Sequence, residues 1–464
     1  MRILKAYKVN NNRKIEANNG KVNFRNSTYQ INKIQLVDDL FLKRLKNNDD
    51  RDYYKKYSNQ IVSMIIENQS TVTKFEFIDN RLKRNSLNQE YKILKHLNDN
   101  KCVSAPKLLE FGTVNAEELI SDDKILTKIF SSIKSENIYQ LSQEKQVKTQ
   151  YNYLISDLIL AIVEQAKLGV IQNDFKKENL FFYNESNVVI IDYDQAIIDE
   201  SFKNLKPKEI LDKSIELDFK SYKIKKRGWL RHFNFLSYRL HLKNLFDDNG
   251  RLNLLNTSLY KNQYSTNTKN MAYHTYSSKN LFVNGIRDLE DRAGILSKIN
   301  LKKGEKVLDI GSNIGILAHF LYNKGCKVTG YELDLKACVC SRYINNIDSF
   351  NIDFHHLDLD NEKSILKYET VFLFSVIHHT KNLIENGKKI SESSDRIIIE
   401  CRLKEDGKKP VLKDKRTIWE ISSFWNFASI DDLHFYLEQL FPFHKVYKNH
   451  GKCDKSRYII ELKK

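Results

Sequence analysis

The sequence predicts two domains of unlike class: an N-terminal α+β domain with two lobes and a C-terminal doubly wound α/β sheet. Three observations carry that expectation. In the first half, strand patterns come first, then helical periodicity, then two strands around a turn. In the second half a glycine-rich run, VLDIGSNIG at 307–315, stands between a strand pattern and a helical one. From there strands and helices alternate, as a doubly wound sheet requires. The expected order is an extension over 1–50, a first domain over 51–222, a basic amphipathic connector over 223–260 and a second domain over 261–464.

Each element has a local reason. Residues 61–78 hold two apolar, β-branched runs around Glu67-Asn68-Gln69, the pattern of a hairpin. SLNQEYKILKHLN at 86–98 has helical spacing, with Ser86 as a cap. KILTKIF at 124–130 reads as a strand, and 146–169 as a helix through Tyr153, Leu154, Leu158, Ile159 and Ile162. LFFYNESNVVIIDYD then gives two strands about an Asn-Glu-Ser-Asn turn. Past the glycine-rich run, CKVTGYELD, NIDFHHLDLD, ETVFLFSVIHHT and DRIIIECRL supply further strands, and FHKVYKNHGKCDKSRYIIEL a closing hairpin.

Composition excludes several classes. With 464 residues, 41% apolar and 11% aromatic, the chain is long and apolar enough for two packed cores, which argues against disorder. No apolar run approaches the ~18–20 residues of a membrane span. The start, MRILKAYKVNNNRK, lacks the apolar run of a signal peptide. The expected location is cytoplasmic, with a peripheral position at the inner membrane face as its companion. The six cysteines form no CxxC pair and are expected as reduced thiols. A formal charge of +17 favours contact with phosphates, although a Lys- and Asn-rich, Pro- and Gly-poor chain is basic by composition alone. The stretch 223–246 carries seven Lys or Arg and no acid. It would pack its apolar side on the first domain, or lie on an anionic membrane surface.

In QNDFKKEN at 172–179, Asp174 precedes Asn179 by five residues, and IIDYDQA at 190–196 puts Asp192 at the end of an apolar strand. A carboxylate near an attacking hydroxyl, with an amide and a second carboxylate as magnesium ligands, is what phosphoryl transfer needs. The plain alternative is a turn rich in Asx residues. The segment resembles the catalytic loop of protein kinases and of the sugar, aminoglycoside and lipopolysaccharide kinases that share their fold. The resemblance, over about residues 55–220, implies ATP and Mg2+ as cofactors, Asp174 as catalytic base, and Asn179 and Asp192 as metal ligands. It puts Lys176 against the transferred phosphate, Lys74 against the α- and β-phosphates and Glu90 in an ion pair with that lysine. The plain alternative for Lys74 and for Glu90 is a solvated surface charge. Gln172-Asn173 replaces the usual His-Arg, Asp192-Tyr193-Asp194 replaces Asp-Phe-Gly, and no glycine-rich loop precedes the hairpin. These departures point away from a protein substrate.

The glycine-rich run has companions. Gly311 and Gly315 would let the backbone approach a ligand, and Asp309 precedes them. Glu332 ends the next strand about 20 residues on, where an acid takes ribose hydroxyls. Residues 304–402 resemble class I S-adenosylmethionine (SAM)-dependent methyltransferases. That resemblance implies SAM as cofactor, with Asp309, Gly311, Gly315 and Glu332 around it and Asp358 near its adenine. His378 and His379, ending the fourth strand, would include a base, or one of them would only hold the loop. Tyr276, Arg287 and Arg292 are candidates for binding an anionic acceptor, or for packing, and Glu400 is equally open.

Together FSVIHH and IIIECRLKE resemble bifunctional kinase/methyltransferases that terminate bacterial O-antigen polysaccharides, with the domain order reversed. The fourth strand also resembles tRNA wobble-uridine alkylating enzymes. The expected function is phosphorylation of a glycan or sugar-containing acceptor and methylation of the same acceptor. The alternatives are an RNA or small-molecule methyltransferase with a kinase-like binding or pseudokinase module, and a non-catalytic scaffold. Nucleic acid ranks behind the glycan as a partner.

Overall fold

The structure is a computed structural model. It describes residues 14–15, 21–24, 27–30, 34–35, 63–67, 71–77, 86–115, 129–136, 151–173, 179–183, 187–225, 245–257, 272–287, 289, 296–374, 376, 383–402, 441, 443–448 and 457–464. The chain divides into two compact units, Met1–Lys243 and Asn244–Lys464.

In the first unit, β1 (Ser63–Glu67) and β2 (Thr71–Phe77) form the expected antiparallel hairpin. Helix α1 (Ser86–Asp99) follows, burying Leu87, Ile93, Leu94 and Leu97 along one face. Strand β3 (Leu108–Asn115) and strand β4 (Ile129–Glu136) complete an antiparallel sheet of order β1-β2-β4-β3. Helix α2 (Tyr151–Lys167) is buried nearly all round over Ile159–Ala166 and so forms a core helix. Then come β5 (Val170–Ile171), the antiparallel pair β6 (Leu180–Tyr183) and β7 (Asn187–Ile190), β8 (Ile197–Ile198) antiparallel to β5, and helix α3 (Pro207–Lys225). Residues 226–244, most of the basic stretch, lie outside the described residues.

The second unit is built on a seven-stranded sheet. Its strands are β9 (Lys306–Ile310), β10 (Lys327–Glu332), β11 (Asp353–His356), β12 (Thr370–Phe374), β13 (Arg396–Arg402), β14 (Phe443–Lys448) and β15 (Arg457–Lys463). Their order is β11-β10-β9-β12-β13-β15-β14. The first five run parallel; β15 is antiparallel to both β13 and β14. Parallel strands are buried on both faces, which is why KVLDI and TVFLF read as continuous apolar runs. Alternate residues feed two cores. Leu308, Ile310, Val371, Leu373, Ile397 and Ile399 enter one, with Ile390 of helix α6 (Leu383–Ser393). Val307, Phe372, Phe374 and Ile398 enter the other, with Leu317, Ala318 and Leu321 of α4 (Ile316–Asn323) and Cys338 of α5 (Leu335–Ile347). The arrangement is an open, Rossmann-like sheet. Arg396 pins the antiparallel β15 to it through Glu461, at 2.7 Å.

Short strands precede this sheet. Leu252–Asn253 pairs with Leu281–Val283, which also pairs with Tyr276–Ser277. No described helix is long and apolar enough to cross a membrane. Cys102, Cys326, Cys338 and Cys340 are free thiols, and burial pushes the Cys340 thiol up to about 12.

Candidate functional site

In the second unit the chain leaves β9 toward β10 and β11, then returns to place β12 on β9's other side. Ligands of open α/β sheets bind at such a switch point, outside the strands' carboxyl ends. The loop after β9 sits there. Gly311 (φ +70°) and Gly315 (φ +81°) both adopt left-handed backbone. The Gly311 and Ser312 N–H groups donate to the Tyr331 carbonyl of β10 at 2.8 and 3.0 Å, which draws the loop over the sheet end. A Cβ built on Gly311 would stand 2.1 Å from a Val376 methyl, and one on Gly315 2.6 Å from the Phe354 ring. The glycines are thus required first by the protein's own packing, not only by the approach of a ligand.

Glu332 joins this loop to the next. One carboxylate oxygen accepts the Asn313 N–H at 2.6 Å and the other the Asp334 N–H at 2.8 Å. Burial pushes its carboxyl up, while the Asp334 and Asn313 N–H bonds oppose that rise. An ionised carboxylate has about four acceptor positions, so the fixed group keeps acceptor capacity for a pair of hydroxyls, as a ribose presents. Leu333 beside it is 60% exposed. Sequence reasoning missed this residue; an apolar residue directly after the acid was the available signal. Asp309 is buried at the end of β9. Asp358 accepts from the Asp360 N–H and from Asn361, so its carboxylate organises the turn after β11. The donor set therefore fits SAM.

His378 and His379 lie outside the described residues, as does Arg292, and Arg287 is described by its strand alone. Glu400 is fully buried. Tyr276 has a packing role: its hydroxyl donates to Asp348 at 2.5 Å, where Ser278 and Asn280 also donate. A buried histidine the sequence did not single out, His319, lies one helical turn past Gly315. It stacks on Phe350 at 4.4 Å between ring centroids, meets Phe354 edge-on, and has no hydrogen-bond partner among the described residues. Burial pushes its imidazole down to about 3.

In the first unit the β6–β7 register positions two of the candidate residues. Leu180 pairs with Ile190, and the Ile191 N–H donates to the Asn179 carbonyl at 2.9 Å. Asn179 therefore lies opposite Ile191, next in sequence to Asp192, at the open end of the hairpin. Asn179 is buried, and Asp192 holds a left-handed backbone, φ 65° and ψ 69°. Such a backbone in a non-glycine residue costs about 1–3 kcal/mol and marks positions held by their surroundings. Glu90 of α1 is 4% exposed, so it is not a solvated surface charge. Its carboxylate acts on the buried Tyr193 hydroxyl, whose acidity is lowered chiefly by burial. Lys74 lies on β2, and Asp174 and Lys176 lie outside the described residues. No cluster of three or more His, Cys, Asp or Glu suited to a metal occurs among the described residues. Magnesium carried by a nucleotide takes only one or two protein ligands beside the phosphates, and an Asn-Asp pair fits that requirement.

Comparison with known families matches residues 285–407 to a methyltransferase-domain model. These residues form a SAM-methyltransferase-like domain. Solved structures to which the chain is similar include the N-terminal domain of EvdMO1 in the presence of SAH and D-fucose. It is 12% identical over 41% of this chain and 89% of that one, with a TM-score of 0.33. WbdD with the kinase inhibitor LY294002 is 18% identical over 39% of this chain and 42% of that one, with a TM-score of 0.30. Magnesium protoporphyrin IX methyltransferase from Synechocystis PCC 6803 with bound SAM is 19% identical over 37% and 76%, with a TM-score of 0.28. No curated protein matches the chain.

Proposed function

We propose that the chain is a bifunctional enzyme that phosphorylates a glycan or sugar-containing acceptor with ATP and methylates the same acceptor with SAM. What supports this reading is that each unit organises its own set of candidate residues. One is the switch-point loop tied to Glu332; the other is the Asn179–Asp192 pair at the β6–β7 hairpin.

For methylation, Glu332 would hold the ribose hydroxyls and Leu333 would offer an apolar face to the adenine. Asp309 would steady the loop, with Asp358 at the adenine edge. SAM supplies an electrophilic methyl group when bound. His378 or His379 would orient the acceptor oxygen, or take its proton where that oxygen is a hydroxyl. For phosphorylation, Asn179 and Asp192 would hold Mg2+ on the nucleotide phosphates, with Lys74 and Glu90 behind them. Asp174 would accept the acceptor's hydroxyl proton and Lys176 would meet the transferred phosphate. A methyl group placed on that new phosphate needs little base, since phosphate oxygens are already ionised at neutral pH.

Methyl transfer from labelled SAM to candidate glycans, followed by mass spectrometry, tests this with ATP present, with ATP withheld, and in Asp174→Asn. The proposal expects methylation only in the first case. Equal methylation in all three would make the two halves independent modifiers. Methylation of RNA instead of glycans would favour the nucleic-acid reading, which the charge of +17 supports. Glu332→Ala is expected to lower SAM affinity by about 1–3 kcal/mol, read by calorimetry.

A further inference from the structure

The turn from Ile191 to Ala196 is held by side-chain amides from three different elements. From the segment after β5, the Gln172 amide nitrogen donates to the carbonyls of Ile191 and Asp192 at 3.3 and 3.1 Å. Gln172 is 4% exposed, and its own amide oxygen accepts the Asn173 N–H at 3.0 Å, which fixes which end of the amide faces the turn. From α2, the Gln165 amide donates to the Tyr193 hydroxyl at 2.8 Å and also to Ser104. Tyr193 and Gln165 are both almost fully buried. From α1, the Gln89 amide donates to the Ala196 carbonyl at 3.2 Å. Asp192, in its left-handed backbone, lies between the first two of these anchors.

We propose that Gln172, and Gln165 through Tyr193, are positioning residues that hold the Asp192 carboxylate ready for a nucleotide-bound divalent cation. The inference rests on the kinase reading of this unit. Its physical basis is the left-handed backbone. A residue with a side chain leaves that conformation when its neighbours release it, and the carboxylate would swing with it. Gln172 restrains the peptides on both sides of the Asp192 Cα, and Tyr193 anchors the next residue in the core. All three amides are uncharged, so the clamp places no further charge beside the carboxylate.

The test is ATP binding to the full chain by calorimetry, across a magnesium series and in EDTA. The variants are Gln172→Met and Tyr193→Phe, which keep volume and remove one polar anchor each, with Asp192→Asn as reference. Loss of an outer-shell partner typically costs ~10–100-fold in metal affinity. We expect the magnesium-dependent gain in ATP affinity to fall ~10-fold in Gln172→Met, and less in Tyr193→Phe. Affinity in EDTA should stay at the wild-type value. Variants that lose affinity equally with and without magnesium would reveal a merely structural role and overturn the inference. Wild-type gain in both variants, with loss in Asp192→Asn, would overturn it and leave the kinase reading standing. A wild-type chain with no magnesium-dependent ATP binding would remove the kinase reading and the inference together.

Discussion

The two sites support their left-handed turns by opposite means. At Gly311 and Gly315 the backbone takes positive φ without a side chain, and the loop rests on apolar surface: Val376, Phe354 and the ring of His319. At Asp192 the same region of backbone space is occupied by a residue with a side chain, and polar anchors from Gln172, Gln165 and Gln89 surround it. Where the backbone is the working part, glycine removes the strain. Where the proposed function needs a carboxylate, the strain is kept and hydrogen bonds hold it. A sterically supported turn fails when a methyl is added, and a polar one when an amide is removed.

The largest effect should come from Gly311→Ala. Its Cβ would stand 2.1 Å from Val376 at a φ of +70°. Overpacking and the left-handed backbone together cost about 2–5 kcal/mol. That loss should appear in the thermal transition that SAM shifts, with SAM binding abolished. Adding Val376→Ala should recover the overpacking part and leave the backbone part. No recovery would mean that the loop does not rest on Val376.

Near neutral pH a smaller effect concerns acid. His319 is pushed down to about 3 from the free imidazole's 6.5. Between those values the unfolded chain binds a proton there that the folded unit rejects. Stability is therefore full above 6.5 and is lost as pH falls toward 3, at up to ~1.4 kcal/mol per pH unit. His319→Phe keeps the stacking on Phe350 and should flatten that part of the melting profile against pH. An unchanged slope would mean that the apolar support under Gly315 opens to water.

The smallest change in stability should come from Asp192→Gly. It relieves the left-handed backbone and should raise the N-terminal unit's unfolding midpoint slightly, by about 1 kcal/mol or less, while magnesium-dependent ATP binding disappears. A clear drop in stability would show that the Asp192 side chain, and not only its backbone, holds the turn.

Much of the second unit was legible from sequence because strands buried on both faces read as unbroken apolar runs. VLDI, TVFLF and RIIIE each became a parallel strand. The β1–β2 and β6–β7 hairpins were legible through polar turns between apolar runs. Strand β3 was not, because Gly112 and a register shift between Leu108 and Glu110 interrupt its alternation. The described strand β4 runs from Ile129 to Glu136, so the expectation at 124–130 meets it only at its start. Within the sites, residue types at fixed spacing were legible, as for Glu332. Their restraints were not, since these depend on contacts distant in sequence. Tyr276 meets Asp348 across 72 positions, and Gln165 meets Tyr193 across 28. A histidine on a helix reads as polar, so the burial of His319 became visible only once Phe350 and Phe354 lay against it.

Strand β15 follows β14 in the chain yet lies between β13 and β14 in the sheet. A ribosome delivers the chain from its N-terminal end at about 5–20 residues per second, so β13 emerges some 3–10 seconds before its antiparallel partner. During that interval Ile397, Ile398 and Ile399 stand on an open edge with unpaired backbone groups, a template for wrong pairing. The β1–β2 hairpin meets no such delay, because its partner strand follows within a few residues. Newly made chains therefore pass through a window open to aggregation between the emergence of residues 402 and 463.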